Sequence, residues 1–253
     1  MRGAWFRRFG TADAGARRLF CFPHAGGAAS AYLRLSQALP PAVEVLSAQY
    51  PGRQDRRLEP GVEDIGVLAD LLAEQVRRES GGRPYAFFGH SMGAVVAYET
   101  ARRLRRKAGS GPFHLFVSGR SAPSTGPRRS DQLLGDAQLR AEIRRLGGTG
   151  SRVLDDPELM EMIMPALRAD YRALAGYAWE PGQPLDCPLT VLVGDADPVV
   201  TVEEAAAWEG LSTASTAVRV FTGGHFYLDD RTQDVAEAIV SRLGAGARGE
   251  SAA

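Results

Sequence analysis

The chain has 253 residues, and its 30 Lys and Arg are balanced by 30 Asp and Glu, so it carries no formal net charge. That balance removes whole-molecule attraction to nucleic acid or to an anionic membrane surface as a basis for function. The length fits one large α/β domain over residues 1–253 with a sizeable insertion, burying about three quarters of its unfolded surface.

Strands are expected at 18–22, 43–48, 85–88, 115–118, 189–193 and 218–221, where short apolar runs rich in Val, Phe and Leu recur. Helical patterns fall between them, the signature of a mostly parallel sheet flanked by helices on both faces. The amino-terminal ten residues hold Trp5 and Phe6 among Arg2, Arg7 and Arg8, with no signal-peptide core. No later segment reaches membrane-spanning length, so a soluble cytoplasmic protein is expected. Ile65, Leu68, Ala69, Leu72 and Val76 recur at helical spacing and read as a core stripe. The alternation breaks at 122–184, which offers no strand and opens with Pro123, Ser124, Gly126 and Pro127. Met160, Ile163, Met164, Leu167, Tyr171 and Leu174 fall on one helical face there, with Pro165 expected to kink or divide the helix. This stripe either packs on the domain beneath or lines an acyl pocket, and the whole insertion reads as a helical lid. Thr201 and Glu204 have capping-box spacing at the start of a helix containing 205–208. A closing helix is expected at 230–243, with a flexible tail at 244–253. Cys21 and Cys187 lie far apart, in neither metal nor redox spacing, and read as buried free thiols.

The most informative segment is Gly89-His90-Ser91-Met92-Gly93, the G-x-S-x-G pattern of a nucleophile elbow. The run 85–88 enters it as a strand, and Val95, Val96, Ala97 and Tyr98 continue as a helix. A serine hydroxyl is a weak nucleophile until a base takes its proton, so Ser91 demands a histidine and preferably a carboxylate. Of the four histidines, His90 and His114 read as structural, and His24 as shaping its own loop. His225 lies in the loose Thr222-Gly223-Gly224-His225-Phe226 loop between the last strand and the last helix. The order nucleophile, acid, histidine places the acid after strand 189–193, where Asp195 and Asp197 compete. Asp197, held extended by Pro198, is the better placed to reach an imidazole, whereas Asp195 reads as a turn residue bonding local backbone. Oxyanion donors are assigned to the backbone amides of Met92, heading the helix after the elbow, and Ala25, in the small-residue loop 23–27. No metal or other cofactor is called for.

Together, Phe22-Pro23-His24-Ala25-Gly26-Gly27, Tyr50-Pro51-Gly52-Arg53, the elbow, Gly194-Asp195-Ala196-Asp197-Pro198 and Gly223-Gly224-His225-Phe226 resemble the stand-alone type II thioesterases. These are α/β-hydrolases that accompany polyketide synthases and nonribosomal peptide synthetases. The resemblance implies hydrolysis of acyl groups from the phosphopantetheine arm of acyl carrier or peptidyl carrier proteins, clearing stalled or wrongly primed chains, by a monomer. A carboxylesterase or lipase-like hydrolase of small oxygen esters would use the same three residues, and a ligand-binding protein without turnover is a third reading. Arg102, Arg103, Arg105, Arg106 and Lys107 crowd one helix end, either as solvated charge favoured by the helix dipole or as a docking patch for an acidic carrier.

Overall fold

The computed structural model describes residues 5–147 and 156–244, so most of the tail at 244–253 lies outside the described residues. One sheet is built from β1 (Phe6–Arg8), β2 (Arg17–Phe22), β3 (Val43–Ala48), β4 (Tyr85–His90), β5 (Leu115–Ser118), β6 (Leu189–Gly194) and β7 (Thr216–Phe221). The strands lie in the order β1-β3-β2-β4-β5-β6-β7. Every neighbouring pair is parallel except β1 and β3, which run antiparallel with Phe6 opposite Ala48. All six expected strands are present. The additional edge strand β1 has too few residues to show an alternation, and Arg7 and Arg8 mask it by folding onto Asp55, Glu44 and Glu79.

The helices are α1 (Leu33–Ala38), α2 (Ile65–Ser80), α3 (Met92–Ala108), α4 (Asp136–Leu146), α5 (Pro157–Ala175) and α6 (Thr232–Leu243). Strand alternation sends Phe20, Phe22, Leu46, Phe87 and Val117 to one face, where α2 and α3 cover them with Leu68, Leu72, Val76 and Leu104. Leu19, Cys21, Val45, Phe88 and Phe116 go to the other face, under Leu35 of α1 and Val235 and Ile239 of α6. Strands buried on both sides explain why their sequences read as continuous apolar runs. Both cysteines are buried free thiols. Among the described residues no helix is long and apolar enough to cross a membrane.

Local signals set several helix boundaries. The Asp64 carboxylate accepts the Val67 amide at 2.8 Å and starts α2. Thr201 and Glu204 form the expected capping box, with bonds of 3.0 and 3.1 Å. The helix it opens is shorter than expected, Val202–Ala205, and continues as a 3-10 turn, Ala206–Leu211. The closing region likewise divides into a short turn, Tyr227–Asp230, followed by α6.

The segment between β5 and β6 carries α4 and α5, and no strand among its described residues. Asp156 caps α5 by accepting the amides of Glu158 and Leu159. The helix then runs unbroken through Pro165, so of the two expectations, a kink or a boundary, the boundary is absent. Proline removes one amide donor and frees the carbonyl four residues earlier, but Pro165 and Glu161 both face solvent, where water can satisfy that group. The stripe on α5 largely builds a small core within the insertion: Met160, Met164, Leu167 and Tyr171 are buried with Leu139 of α4. It touches the body of the protein at Ala25, while Ala173 and Leu174 join the main core.

Candidate active site

Parallel strands deliver their carboxyl-terminal loops to one edge of the sheet, and here the candidate residues meet. β4 ends at His90 and α3 begins at Met92, so Ser91 alone makes the turn, with φ 54° and ψ −118°. A non-glycine residue at positive φ is strained, and such strain is held only where its surroundings over-determine it. Two contacts do so. The Ser91 amide donates to the Ser118 carbonyl of β5 at 2.8 Å. Neither flanking glycine has room for a side chain: a Cβ on Gly89 would collide with the backbone of Gly93, and one on Gly93 with the carbonyls of Phe22 and Pro23. The elbow is thereby pressed against the loop after β2, with Ser91 half-buried.

The loops after β6 and β7 are joined backbone to backbone. The Asp195 amide donates to the Phe221 carbonyl at 2.8 Å and the Ala196 amide to the Gly223 carbonyl at 3.0 Å. Between them the structure pairs His225 with Asp197: imidazole Nδ1 lies 2.9 Å from Oδ2 and 3.1 Å from Oδ1. Both side chains are buried. Asp197 Oδ1 also accepts the Val199 amide at 2.7 Å, which fixes the carboxylate. Asp195 does not bond local backbone as expected. Its Oδ1 accepts the Gly223 amide at 2.9 Å, so it ties the acid-bearing loop to the histidine-bearing one. With Nδ1 donating to Asp197, Nε2 of His225 is the ring's acceptor, and it is buried without a hydrogen-bond partner among the described residues.

His225 sits beside the elbow. Its ring centroid is 4.9 Å from that of His90, the residue before Ser91, and a side chain on Gly119 would meet both rings. His90 is structural, as expected: its Nδ1 lies 2.9 Å from Ser118 Oγ, which is 2.6 Å from the Tyr227 hydroxyl. His24 packs its ring against Phe226 at 4.9 Å. Burial, with His225 nearby, pushes His24 down to about 4 and His90 well below the ordinary histidine range, so both are neutral at pH 7. His114 is likewise structural, buried with Nε2 2.9 Å from Thr190 Oγ1.

In the loop after β2, the Gly27 amide donates to the His24 carbonyl at 2.9 Å and the Gly26 amide to Asp170 Oδ2 at 2.7 Å. No acceptor takes the Ala25 amide among the described residues. The amide of Met92, the other expected donor, heads α3 at the positive end of its dipole.

Two buried ion pairs beside this edge were not read from the sequence. Arg53 of the proline-glycine-arginine turn is bonded to Asp170 of α5, with both side chains almost fully enclosed. Burial raises the Asp170 carboxyl, while Arg53 and the Gly26 amide oppose the rise. The detectable signal was an aspartate on the apolar face of α5, three residues after Leu167. Arg120 and Asp131 form a two-pronged pair at 2.8 and 2.6 Å. With Val95, Ala122, Leu174, Tyr177 and Trp179, that pair lines a cavity of about 290 Å³ between α3 and the insertion.

Four of the five basic residues at the end of α3 are paired. Arg102 and Arg103 bond Glu99 at 2.9 and 2.6 Å, Lys107 bonds Asp70 of α2 at 2.7 Å, and Arg105 pairs with Asp186. Glu99 is a neighbour along the same helix, whereas Asp70 and Asp186 come beside the basic side chains only on folding.

A strained serine elbow and a buried histidine–aspartate pair at one sheet edge define a serine hydrolase on an α/β-hydrolase fold. The Thioesterase domain family matches residues 17–243, and the chain belongs to that family. It is 50% identical over 94% of its length to a probable cadicidin biosynthesis thioesterase of Streptomyces griseus, of which it spans 66%. It is 46% identical over 95% of its length to thioesterase PikA5 of Streptomyces venezuelae, spanning 86% of that protein. The solved structure of the type II thioesterase BorB, from the borrelidin biosynthetic cluster, matches with TM-score 0.87 and 44% identity, over 95% of this chain and 98% of that one. The likeness read from the five motifs to type II thioesterases is borne out.

Proposed function

We propose that Ser91, His225 and Asp197 hydrolyse acyl thioesters carried on the phosphopantetheine arm of acyl or peptidyl carrier proteins, clearing stalled or wrongly primed chains. The observation that carries this reading is the buried His225–Asp197 pair set beside the strained elbow, with Nε2 unengaged. Asp197 holds the imidazole in the tautomer whose Nε2 accepts a proton. Ser91 Oγ attacks the thioester carbonyl as His225 takes its proton, and the amides of Ala25 and Met92 receive the negative oxygen. The carbon–sulfur bond breaks, and His225 returns the proton to the departing thiolate. Water, deprotonated by the same imidazole, then attacks the acyl-serine and releases the acid. No step calls for a cofactor.

Residues 122–184 act in this reading as a lid, since α5 reaches the loop that bears Ala25. The acyl chain lies toward the cavity bounded by Val95, Ala122 and Leu174, and Val95 is one helical turn along α3 from Ser91. The enzyme acts as a monomer on its carrier. The test is to compare turnover of an acyl thioester on a carrier protein with that of an alkyl oxygen ester of the same acid. Preference for the carrier thioester supports the proposal, whereas a faster oxygen ester assigns the chain to the esterase reading.

A further inference from the structure

Arg53, in the turn after β3, and Asp170 of α5 form an ion pair almost fully enclosed between the body and the insertion, at 4% and 1% exposure. Removing two charges from water is costly, and apolar side chains of similar volume commonly stabilise a core as well or better. The pair therefore calls for an explanation other than stability, and its contacts supply one. The Asp170 oxygen that meets Arg53 also accepts the Gly26 amide at 2.7 Å. Arg53 in turn donates from Nε to the Gly27 carbonyl at 3.3 Å and from Nη1 to the Pro51 carbonyl at 2.7 Å, with its guanidinium 5.0 Å from the centre of the Tyr50 ring. One carboxylate and one guanidinium thus hold both residues after Ala25. Leu167, one turn before Asp170 on α5, closes on the same loop: Gly26 has φ +74°, and a Cβ there would come 2.9 Å from Leu167 Cδ1.

We propose that Asp170 and Arg53 are positioning residues that fix the Ala25 amide as an oxyanion donor. Because Asp170 belongs to α5, they also make that donor's alignment depend on how the insertion is seated. Rotation of the peptide before Gly26 is restrained by the carboxylate of the inserted helix. When α5 is seated, the amides of 25 and 26 are committed to different acceptors: Gly26 to the protein, Ala25 to the substrate oxygen. When α5 shifts, Gly26 loses its acceptor and the loop can reorient. Seating of the insertion therefore acts on the chemical step as well as on access of substrate.

This inference rests on Ser91 being the nucleophile, and the experiment separates the two. Wild type, Asp170→Ala, Asp170→Asn and the apolar pair Arg53→Met with Asp170→Leu are compared for melting temperature, kcat and KM on an acyl-pantetheine thioester. The rate of labelling by an alkyl fluorophosphonate, whose tetrahedral adduct needs the same oxyanion donors, is measured alongside. Asp170→Ala is expected to lower kcat by about 10- to 100-fold, the loss typical of a misplaced group, with KM nearly unchanged. Labelling should slow by the same factor, and Asp170→Asn, which keeps an oxygen for the Gly26 amide, should recover part of the loss. The apolar pair is expected to melt no lower than wild type and still turn over slowly, a result that a purely stabilising ion pair would not give. A folded apolar pair with wild-type kcat, or a loss confined to KM, overturns the proposal. Should that pair not fold, equal kcat in wild type and Asp170→Ala overturns it, and a fall in kcat matched by slower labelling supports it. If fluorophosphonate leaves Ser91 of the wild-type enzyme unlabelled and Ser91→Ala keeps its turnover, the nucleophile reading itself fails and this inference goes with it.

Discussion

The sheet and the insertion are held in place by different physics. Residues that meet at the sheet edge are positioned by strands buried on both faces, so the elbow, the acid loop and the histidine loop inherit the rigidity of a continuous apolar core. The insertion has a small core of its own around Leu139, Met160 and Met164, and it meets the body both through Ala173 and Leu174 in the main core and through ion pairs: Arg53 to Asp170, Arg172 to Glu63 and Arg128 to Glu204. The hydrophobic attraction itself has no direction, whereas a hydrogen-bonded ion pair fixes one. The sheet edge is thus fixed by packing on both faces, and the insertion by packing together with a few directional contacts.

The contrast can be broken first at the sheet edge. Ser91→Ala should reduce turnover on the order of a millionfold if the three residues act as a unit, read as kcat on a carrier thioester. Next comes the pair of aspartates. Asp197→Asn should cost about ten-thousandfold in kcat because it upsets the imidazole's tautomer, while Asp195→Asn, which only loosens a loop-to-loop bond, should cost far less. An equal loss in both would mean that loop geometry rather than the proton arrangement is limiting.

Stability separates the regions more gently. Phe87→Ala, at the centre of the sheet, should cost about 3–5 kcal/mol in denaturant unfolding. Arg172→Gln, which breaks a half-exposed pair between α5 and Glu63, should cost less than about 1 kcal/mol. A pH effect, expressed only under acid conditions, comes last. Burial pushes the His114 imidazole down to about 4, below its unfolded value near 6.5. Between those values the unfolded chain binds a proton that the native chain refuses, so stability is full above about pH 6.5 and falls as pH drops toward 4. His114→Gln should flatten that slope, measured as melting temperature against pH; an unchanged slope would locate the acid sensitivity elsewhere, His24 and His90 being the next groups displaced downward.

What was legible in the sequence follows the same division. Ser91, Asp197 and His225 could be found because their chemistry demands particular residue types, and the fold demands their order along the chain. Periodicity gave six strands, but β1, with three residues, is too short to show one. Asp170 was opaque for another reason. Its partner Arg53 is 117 residues away, and nothing in the sequence says that α5 will be laid over that turn. The pairing of the basic run on α3 was opaque in the same way, since Asp70 and Asp186 become its neighbours only on folding. Pro165, expected to kink or divide α5, does not divide it, because a proline on the solvent side of a helix frees a carbonyl that water can satisfy.

The most direct test of the account is to quench the enzyme during turnover of an acyl carrier thioester and map the covalent adduct by mass spectrometry. An acyl group on Ser91, accumulating within one turnover and absent from Ser91→Ala, is the predicted result. Turnover that persists in Ser91→Ala, or an acyl group on any other residue, would contradict it.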